Sequence, residues 1–265
     1  MLGVFDSGLG GLSSVKALSQ YLPQEDLVYF GDTGRVPYGT RSAQIITRYA
    51  LQDVRFLMQF SPKALLVACG TVSSVALEVL REQFDLPIVG VIDGAVRAAV
   101  QATRNKKIVV LGTPATTRTG AYVRGLHALD DTLEVLGLAC PLFVPIVETG
   151  HISPDDPITQ AVVAHYMKEV TAFGADTVIL GCTHYPLLKR AIGNAVGDAV
   201  HLIDAGKESA LALTEIVKEH HLLSNGAGRQ QFFVSDAPAD FADTARIFLH
   251  RDIGEDVKQI DIERY

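Results

Sequence analysis

VILGCTHYP, residues Val178 to Pro186, is a short β-branched and apolar run that stops at Gly181 and then delivers Cys182, Thr183 and His184. An echo lies upstream in LLVACGTVS, Leu65 to Ser73, where an apolar run again ends in a cysteine, Cys69, with Thr71 close behind. Four to eight apolar residues closed by turn-formers predict a buried parallel strand, and ligands of open α/β sheets sit just beyond such strand ends. The two cysteines are therefore predicted at two strand ends, one in each half of the chain.

Outward from these passages, strand and helix patterns alternate. Strands are predicted at Leu2 to Phe5, Leu27 to Phe30, Ile88 to Ile92, Ile108 to Leu111, Leu133 to Leu138, His201 to Ile203, Gln231 to Val234 and Val257 to Ile262. Helical spacing marks the segments ending near Leu22, Ser42 to Phe60, Ser73 to Gln83, Ala95 to Thr103, Ile158 to Phe173, the stretch from Leu187, Lys207 to His220 and Pro238 to Leu249. Such alternation is the pattern of α/β layers with largely parallel sheets. Two similar α/β domains facing each other across a cleft are expected. The first combines residues 1–95 with 207–265, because the tail still alternates strand and helix and returns to complete it; the second spans residues 96–206.

The 265 residues set a prior of about two domains, and 48% hydrophobic residues suffice for their cores. A net charge of −7 without clustered Lys and Arg argues against nucleic acid as the main partner. No apolar run reaches the roughly 20 residues of a membrane span, and no export leader opens the sequence, so no membrane is expected and the compartment is read as cytoplasmic. Three cysteines do not make a disulfide framework and are expected as free thiols. The oligomeric state is open at this level, a homodimer being one arrangement the chain allows.

A cysteine at a strand end is commonly a packing residue, and Cys140, between Ala139 and Pro141, is read that way. No CxxC and no histidine pair at ligand spacing supports a metal or a thioredoxin-like redox pair. Cys69 and Cys182 differ in sharing a setting: each precedes a threonine and a helix start, where N–H groups and a hydroxyl converge on the thiol and on any anion beside it. Two thiols across one cleft suit the inversion of a stereocentre, which needs a base on one face and an acid on the other. The loop Asp6-Ser7-Gly8-Leu9-Gly10-Gly11 lacks the GK[ST] of a nucleotide P-loop.

Phe5 to Gly11, Asp32 with Pro37-Tyr38-Gly39, Ala68-Cys69 with Thr71, Leu111-Gly112-Thr113, Cys140-Pro141-Leu142 through Glu148, and Gly181 to Pro186 run in one order over nearly the whole chain. As a set they resemble the glutamate racemases of the cofactor-independent aspartate/glutamate racemase family. The resemblance implies interconversion of L- and D-glutamate without pyridoxal phosphate or any other cofactor, in a bacterial cell-wall pathway that draws on D-glutamate. It also implies Cys69 and Cys182 as paired base and acid, each serving one enantiomer, with Asp6 assisting Cys69 and His184 assisting Cys182. Glu148 is expected to orient the imidazole. Ser7, Thr71 and Thr183, with main-chain N–H groups including that of Gly70, are expected to hold the substrate carboxylates, and Asp6 and His184 to reach the substrate as well. Pro37, Tyr38 and Gly39 form the expected wall, and Thr113, with Thr116 and Thr117, reads equally as anion site or as helix cap. Asp6 also suits a helix N-cap, and His184 a turn.

Two positions depart from the family pattern. Gly70 stands where an Asn usually follows the first cysteine, leaving only a main-chain N–H there, and the Ile92-Asp93-Gly94 step lacks the proline expected at that turn. Aspartate and hydantoin racemases, and a binding protein without turnover, are the alternatives that the residues leave open.

Overall fold

A computed structural model of the chain describes residues 1–265, apart from the side chain of Glu255. In chain order the elements are β1 (Leu2–Asp6), α1 (Leu12–Tyr21), β2 (Leu27–Gly31), α2 (Ala43–Met58), β3 (Leu65–Val67), α3 (Gly70–Val75), α4 (Leu77–Gln83), β4 (Ile88–Gly90) and α5 (Val91–Ala102). There follow β5 (Lys107–Gly112), α6 (Pro114–Thr119), α7 (Ala121–Leu129), β6 (Glu134–Ala139), α8 (Phe143–Glu148), α9 (Pro157–Phe173), β7 (Thr177–Leu180), α10 (Lys189–Val196) and β8 (His201–Asp204). The chain closes with α11 (Ala205–Glu219), β9 (Gln230–Val234), α12 (Pro238–Leu249) and β10 (Val257–Gln259).

Ten strands form two all-parallel sheets, one of six strands in the order β10-β9-β2-β1-β3-β4 and one of four in the order β6-β5-β7-β8. Taken from its first strand, each sheet repeats the same arrangement: the second strand lies on one side of the first, and the third and fourth on the other. This is the two-unit α/β architecture that the sequence predicts. The expected boundaries 95/96 and 206/207 fall inside α5 and α11, the two helices that carry the chain from one sheet to the other and back.

Both faces of the first sheet are covered at its centre, so β1, β2, β3 and β4 are buried at every position and successive side chains feed opposite cores. Val4, Tyr29 and Leu66 join Leu12, Val15 and Leu18 of α1 and Leu213 and Val217 of α11. Their neighbours Phe5, Phe30 and Val67 pack instead with Ile46, Ala50, Val54 and Leu57 of α2. In the second sheet Val109, Leu111, Val178 and Leu180 face one core while Ile108, Val110 and Ile179 face Val96 and Tyr122. Each such side chain contributes about 1.5–3 kcal/mol on burial.

Several element bounds differ from the sequence reading, most of them where the chain enters a helix, while the last strand stops at Gln259 rather than Ile262. Helix α3 starts at Gly70, directly after Cys69, and a break at Ala76 separates it from α4, where one helix from Ser73 was expected. Strand β4 ends at Gly90, and the Ile92-Asp93-Gly94 step, expected as a turn, is the first turn of α5. The segment before Glu148 is helical as α8. Among the described residues no helix is long and apolar enough to cross a membrane.

One carboxylate outside the cores joins α5, β5 and β7. Asp176 accepts hydrogen bonds from the Thr103 hydroxyl and the Arg104 and Asn105 N–H groups, each at 2.7 Å, and from the Thr177 hydroxyl at 2.9 Å. Burial works against its charge, but these four donors together hold its carboxyl below the usual range. A carboxyl lowered in the folded state stabilises it above the unfolded-state value near 3.8 and loses that contribution as pH falls through the folded value. Asp176→Ala is expected to cost about 1–3 kcal/mol at neutral pH, and the deficit should shrink on acidification below pH 4, as urea melts of both proteins at several pH values will show.

Candidate active site

The C-terminal ends of the two sheets face a common cavity of about 330 Å³. Its floor comes from the strands at the centre of each sheet, where neighbouring connections leave in opposite directions and a crevice opens. From the first sheet, β1 ends at Asp6 and hands on Ser7 and Gly8, while β3 leads to Cys69, Gly70 and Thr71. From the second, β5 hands on Thr113 and Pro114, and β7 hands on Gly181, Cys182, Thr183 and His184. The two cysteine passages thus occupy equivalent places in the two sheets.

Of the residues singled out from the sequence, Ser7, Pro37, Tyr38, Gly39, Cys69, Gly70, Thr71, Thr113, Glu148, Cys182, Thr183 and His184 all line this cavity. Asp6 does not. It lies buried behind the wall, accepting the Gly8 N–H at 3.1 Å through Oδ2, while Oδ1 has no protein partner. It is not the cap of α1 either, because that position falls to Gly11. Thr116 and Thr117 also stand off the cavity, Thr117 bonding back to the carbonyls of Thr113 and Pro114. Thr113 caps α6, accepting the Thr116 N–H at 3.2 Å, and its hydroxyl lies 3.1 Å from that of Thr71 on the opposite sheet. Cys140, read as packing, is buried and also contributes to the cavity lining.

The surroundings of the thiols differ. Cys69 is buried with its Sγ 3.2 Å from the Ser7 hydroxyl. Burial, followed by the nearby Asp6 carboxylate, pushes the thiol up to about 12, against the pull of Ser7 and the Val72 N–H. Asp6 is itself raised above the usual carboxylate range, chiefly by burial, with His184 and the surrounding N–H groups opposing. Cys182 is partly exposed, its Sγ 4.0 Å from His184 Nδ1. On the far side of the ring, Nε2 lies 3.3 Å from Glu148 Oε1, at ion-pair distance but without the alignment of a hydrogen bond. Burial disfavours the imidazolium, yet Cys182, Glu148 and Asp6 together outweigh it and raise His184 to about 10.

The wall beside Gly39 rests on a charged cluster that the sequence reading did not find. The Tyr38 hydroxyl donates to Asp32 and, at 3.0 Å, to Asp53. Arg35 bridges the same two carboxylates, Nε to Asp32 at 2.6 Å and Nη2 to Asp53 at 2.8 Å, and lies over the Tyr49 ring. Burial, with Asp32 adding repulsion, holds Asp53 well above the usual range despite Arg35. Arg35 and Asp53 belong to a loop and a helix, and no sequence spacing announces their meeting. Tyr185 was likewise missed as a fastener: its hydroxyl donates to the carbonyls of Gly112 and Cys140, tying the ends of β5 and β6 to the turn after β7.

The rest of the lining includes Val36, Pro141, Val144 and Pro145 at one side, and no Lys or Arg. An anion would therefore be met by hydroxyls and by the free N–H groups that open α3 and α6. Among the described residues no three His, Cys, Asp or Glu side chains converge as a metal-ligand set.

The Asp/Glu/hydantoin racemase family model matches residues 12–213. A glutamate racemase of Geobacter metallireducens is 43% identical over 99% of this chain and 97% of its own length. The chain belongs to the Asp/Glu/hydantoin racemase family. Among solved structures of this family, a glutamate racemase isoform of Bacillus anthracis superposes with a TM-score of 0.94 at 35% identity, covering 98% of this chain and 97% of its own. A glutamate racemase of Francisella tularensis, solved in complex with D-glutamate, gives 0.92 at 33% identity over 100% of this chain and 98% of its own.

Thiol accessibility gives a first test of this geometry. Iodoacetamide at neutral pH is expected to label Cys182 first, with Cys69 and Cys140 lagging because they are buried and held protonated; peptide mapping of a time course reads the order. A second test uses the histidine. Because its folded-state value is raised, protonated His184 stabilises the fold fully below its unfolded value near 6.5, and that contribution is lost as pH rises through about 10. The stability difference between wild type and His184→Gln should therefore be larger at pH 6 than at pH 10.5, as denaturant melts at the two pH values will show.

Proposed function

We propose that this protein is a glutamate racemase that inverts the Cα of glutamate by passing protons between two cysteines, without an added cofactor. The observation that carries the reading is the placement of Cys69 and Cys182 at equivalent strand ends of opposed sheets, both lining one small cavity. Membership of the family, and relatives named as glutamate racemases over nearly their whole length, support the substrate assignment.

In this reading glutamate lies between the two sheets, its carboxylates held by Ser7, Thr71, Thr113 and Thr183 and by main-chain N–H groups, with Pro37, Tyr38 and Gly39 as a wall. One cysteine, as thiolate, takes the Cα proton; the electron pair stays on Cα and delocalises into the adjacent carboxylate. The other cysteine, as thiol, gives its proton to the opposite face. After one inversion the two sulfurs have exchanged protonation states, so each needs a route by which its proton is reset. Asp6 beside Cys69 and His184 with Glu148 beside Cys182 supply those routes. Cys69, held protonated by burial, rests as the donor. Preorganised donors around the developing charge and exclusion of water then lower the barrier, and placed proton-transfer groups contribute about 10²–10⁴-fold.

The same reading takes the division into 1–95 with 207–265 and 96–206 as two units that close on the substrate. It places the enzyme in the cytoplasm, where thiols remain reduced, supplying D-glutamate for peptidoglycan.

Purified protein incubated with L-glutamate in D₂O, without added cofactor, should lose both its circular-dichroism signal and the Cα proton resonance; persistence of both refutes the assignment. Cys69→Ser and Cys182→Ser should each abolish racemisation, and full turnover by either rejects the two-cysteine mechanism.

A further inference from the structure

The lip of the cavity, residues 36–40, reaches across the cleft. It lines the cavity from the side of the first sheet, and a Cβ built on Gly39 would lie 3.0 Å from Thr113 Cβ and 3.2 Å from Thr113 Oγ1, so the lip packs directly on the hydroxyl turn of the second sheet. Little else holds it. Among the described residues, the only hydrogen bonds that residues 36–40 make outside their own turn are those of the Tyr38 hydroxyl.

That hydroxyl ends in buried charge. Asp32 and Asp53 are fully buried, and Arg35, which bridges them, nearly so. Arg35 also donates through Nη1 to Gln52 Oε1 at 2.6 Å. Asp32 accepts the Ser235 hydroxyl at 2.8 Å, and Ser235 Oγ in turn accepts the Gly34 N–H at 2.8 Å. The cluster is thus bolted to α2 through Gln52 and Asp53, and to the end of β9 through Ser235. Two carboxyl groups and a guanidinium taken out of water lose hydration that their attraction only partly returns, so an apolar filling would serve stability as well or better. What the charged filling adds is direction: a planar fork fixes two carboxyl groups, and these fix one hydroxyl.

We infer that Arg35 and Asp53 are positioning residues for substrate binding: with Asp32 they fix the Tyr38 hydroxyl, and through it hold the 36–40 lip against Thr113 over the bound substrate. The inference rests on the proposed racemisation of glutamate and adds to it the device that shapes the binding wall. Neither side chain lines the cavity, and neither takes part in moving the Cα proton. A slack lip therefore weakens the hold on substrate while the proton transfers at the sulfurs stay much as they were, so KM rises and kcat changes little.

The test measures initial rates of L-glutamate racemisation by circular dichroism over a range of substrate concentrations. In Asp53→Ala, and in Arg35→Lys, which keeps the charge but loses the fork, KM should rise about tenfold, the effect of one lost charge-assisted hydrogen bond. Partial unfolding lowers the amount of active enzyme and so the apparent kcat, but leaves KM in place. Asp53→Asn still accepts from Arg35 and can donate to the Tyr38 oxygen, and should recover most of the lost affinity. Tyr38→Phe should raise KM by a like amount, and Asp53→Ala added to it should raise KM little further, because both remove the same tie. Should Asp53→Ala fail to fold, Arg35→Lys combined with Tyr38→Phe gives the same cycle. KM values that stay at wild type, or that multiply in the double variant, overturn the positioning role and leave the racemase standing; no inversion by the wild-type protein overturns the proposed function and the role with it.

Discussion

The site exists only because two sheets are held end to end, and the constraint that holds them is the packing of α5 on α11. These are the two segments by which the chain leaves the first sheet and returns to it, and they run against each other along much of their length. A Cβ on Gly94 would lie 2.6 Å from the Glu208 carbonyl oxygen, so the helices approach as closely as their backbones allow. Both covalent connections therefore run together, and the sheets otherwise meet through non-covalent contacts such as the Thr71 to Thr113 hydroxyl pair. Such an arrangement suits a cleft that must admit a substrate and then exclude water around it.

What the sheets bring together is chemically asymmetric despite their shared strand order. On one side a buried thiol has a buried carboxyl nearby, and desolvation raises both above their ordinary values. On the other a partly exposed thiol lies beside an imidazole that keeps its proton, with a half-exposed carboxylate at the ring's far edge. Equivalently placed thiols in a repeated fold thus have neighbours of different chemistry, a carboxyl on one side and an imidazole on the other. The cavity between them holds no Lys or Arg, so apart from the protonated His184 the donors it presents are neutral groups fixed by the fold.

Strand ends were legible in the sequence because a buried parallel strand reads as an unbroken apolar run with a sharp polar stop. LLVACGT and VILGCTH gave both sulfurs, and most residues expected around them do line the cavity. Helix starts were less legible: α3 and α5 begin at once after their strands, with no capping side chain to mark the place. Asp6 was placed at the right strand end, but its direction, behind the wall rather than into the cavity, depends on the fold of the glycine loop above it. The cluster of Arg35, Asp32, Asp53 and Tyr38 was not legible because Asp53 of α2 joins the other three, which lie close together in one loop, by tertiary contact alone. Cys140 shows the complementary limit, since a buried packing thiol and a cavity-lining thiol share the same apolar sequence context.

The first sheet is completed from the far end of the chain: β2 (Leu27–Gly31) pairs on its outer side with β9 (Gln230–Val234), across the whole of the second sheet. On the ribosome the β2 edge therefore emerges early and stays unpaired while the inserted unit is made, an open template of N–H and C=O groups beside Tyr29 and Phe30. Folding of the nascent protein is thus ordered by its threading: the inserted unit has all its strands in hand first, and the surrounding one is sealed last, when the C-terminal strands dock.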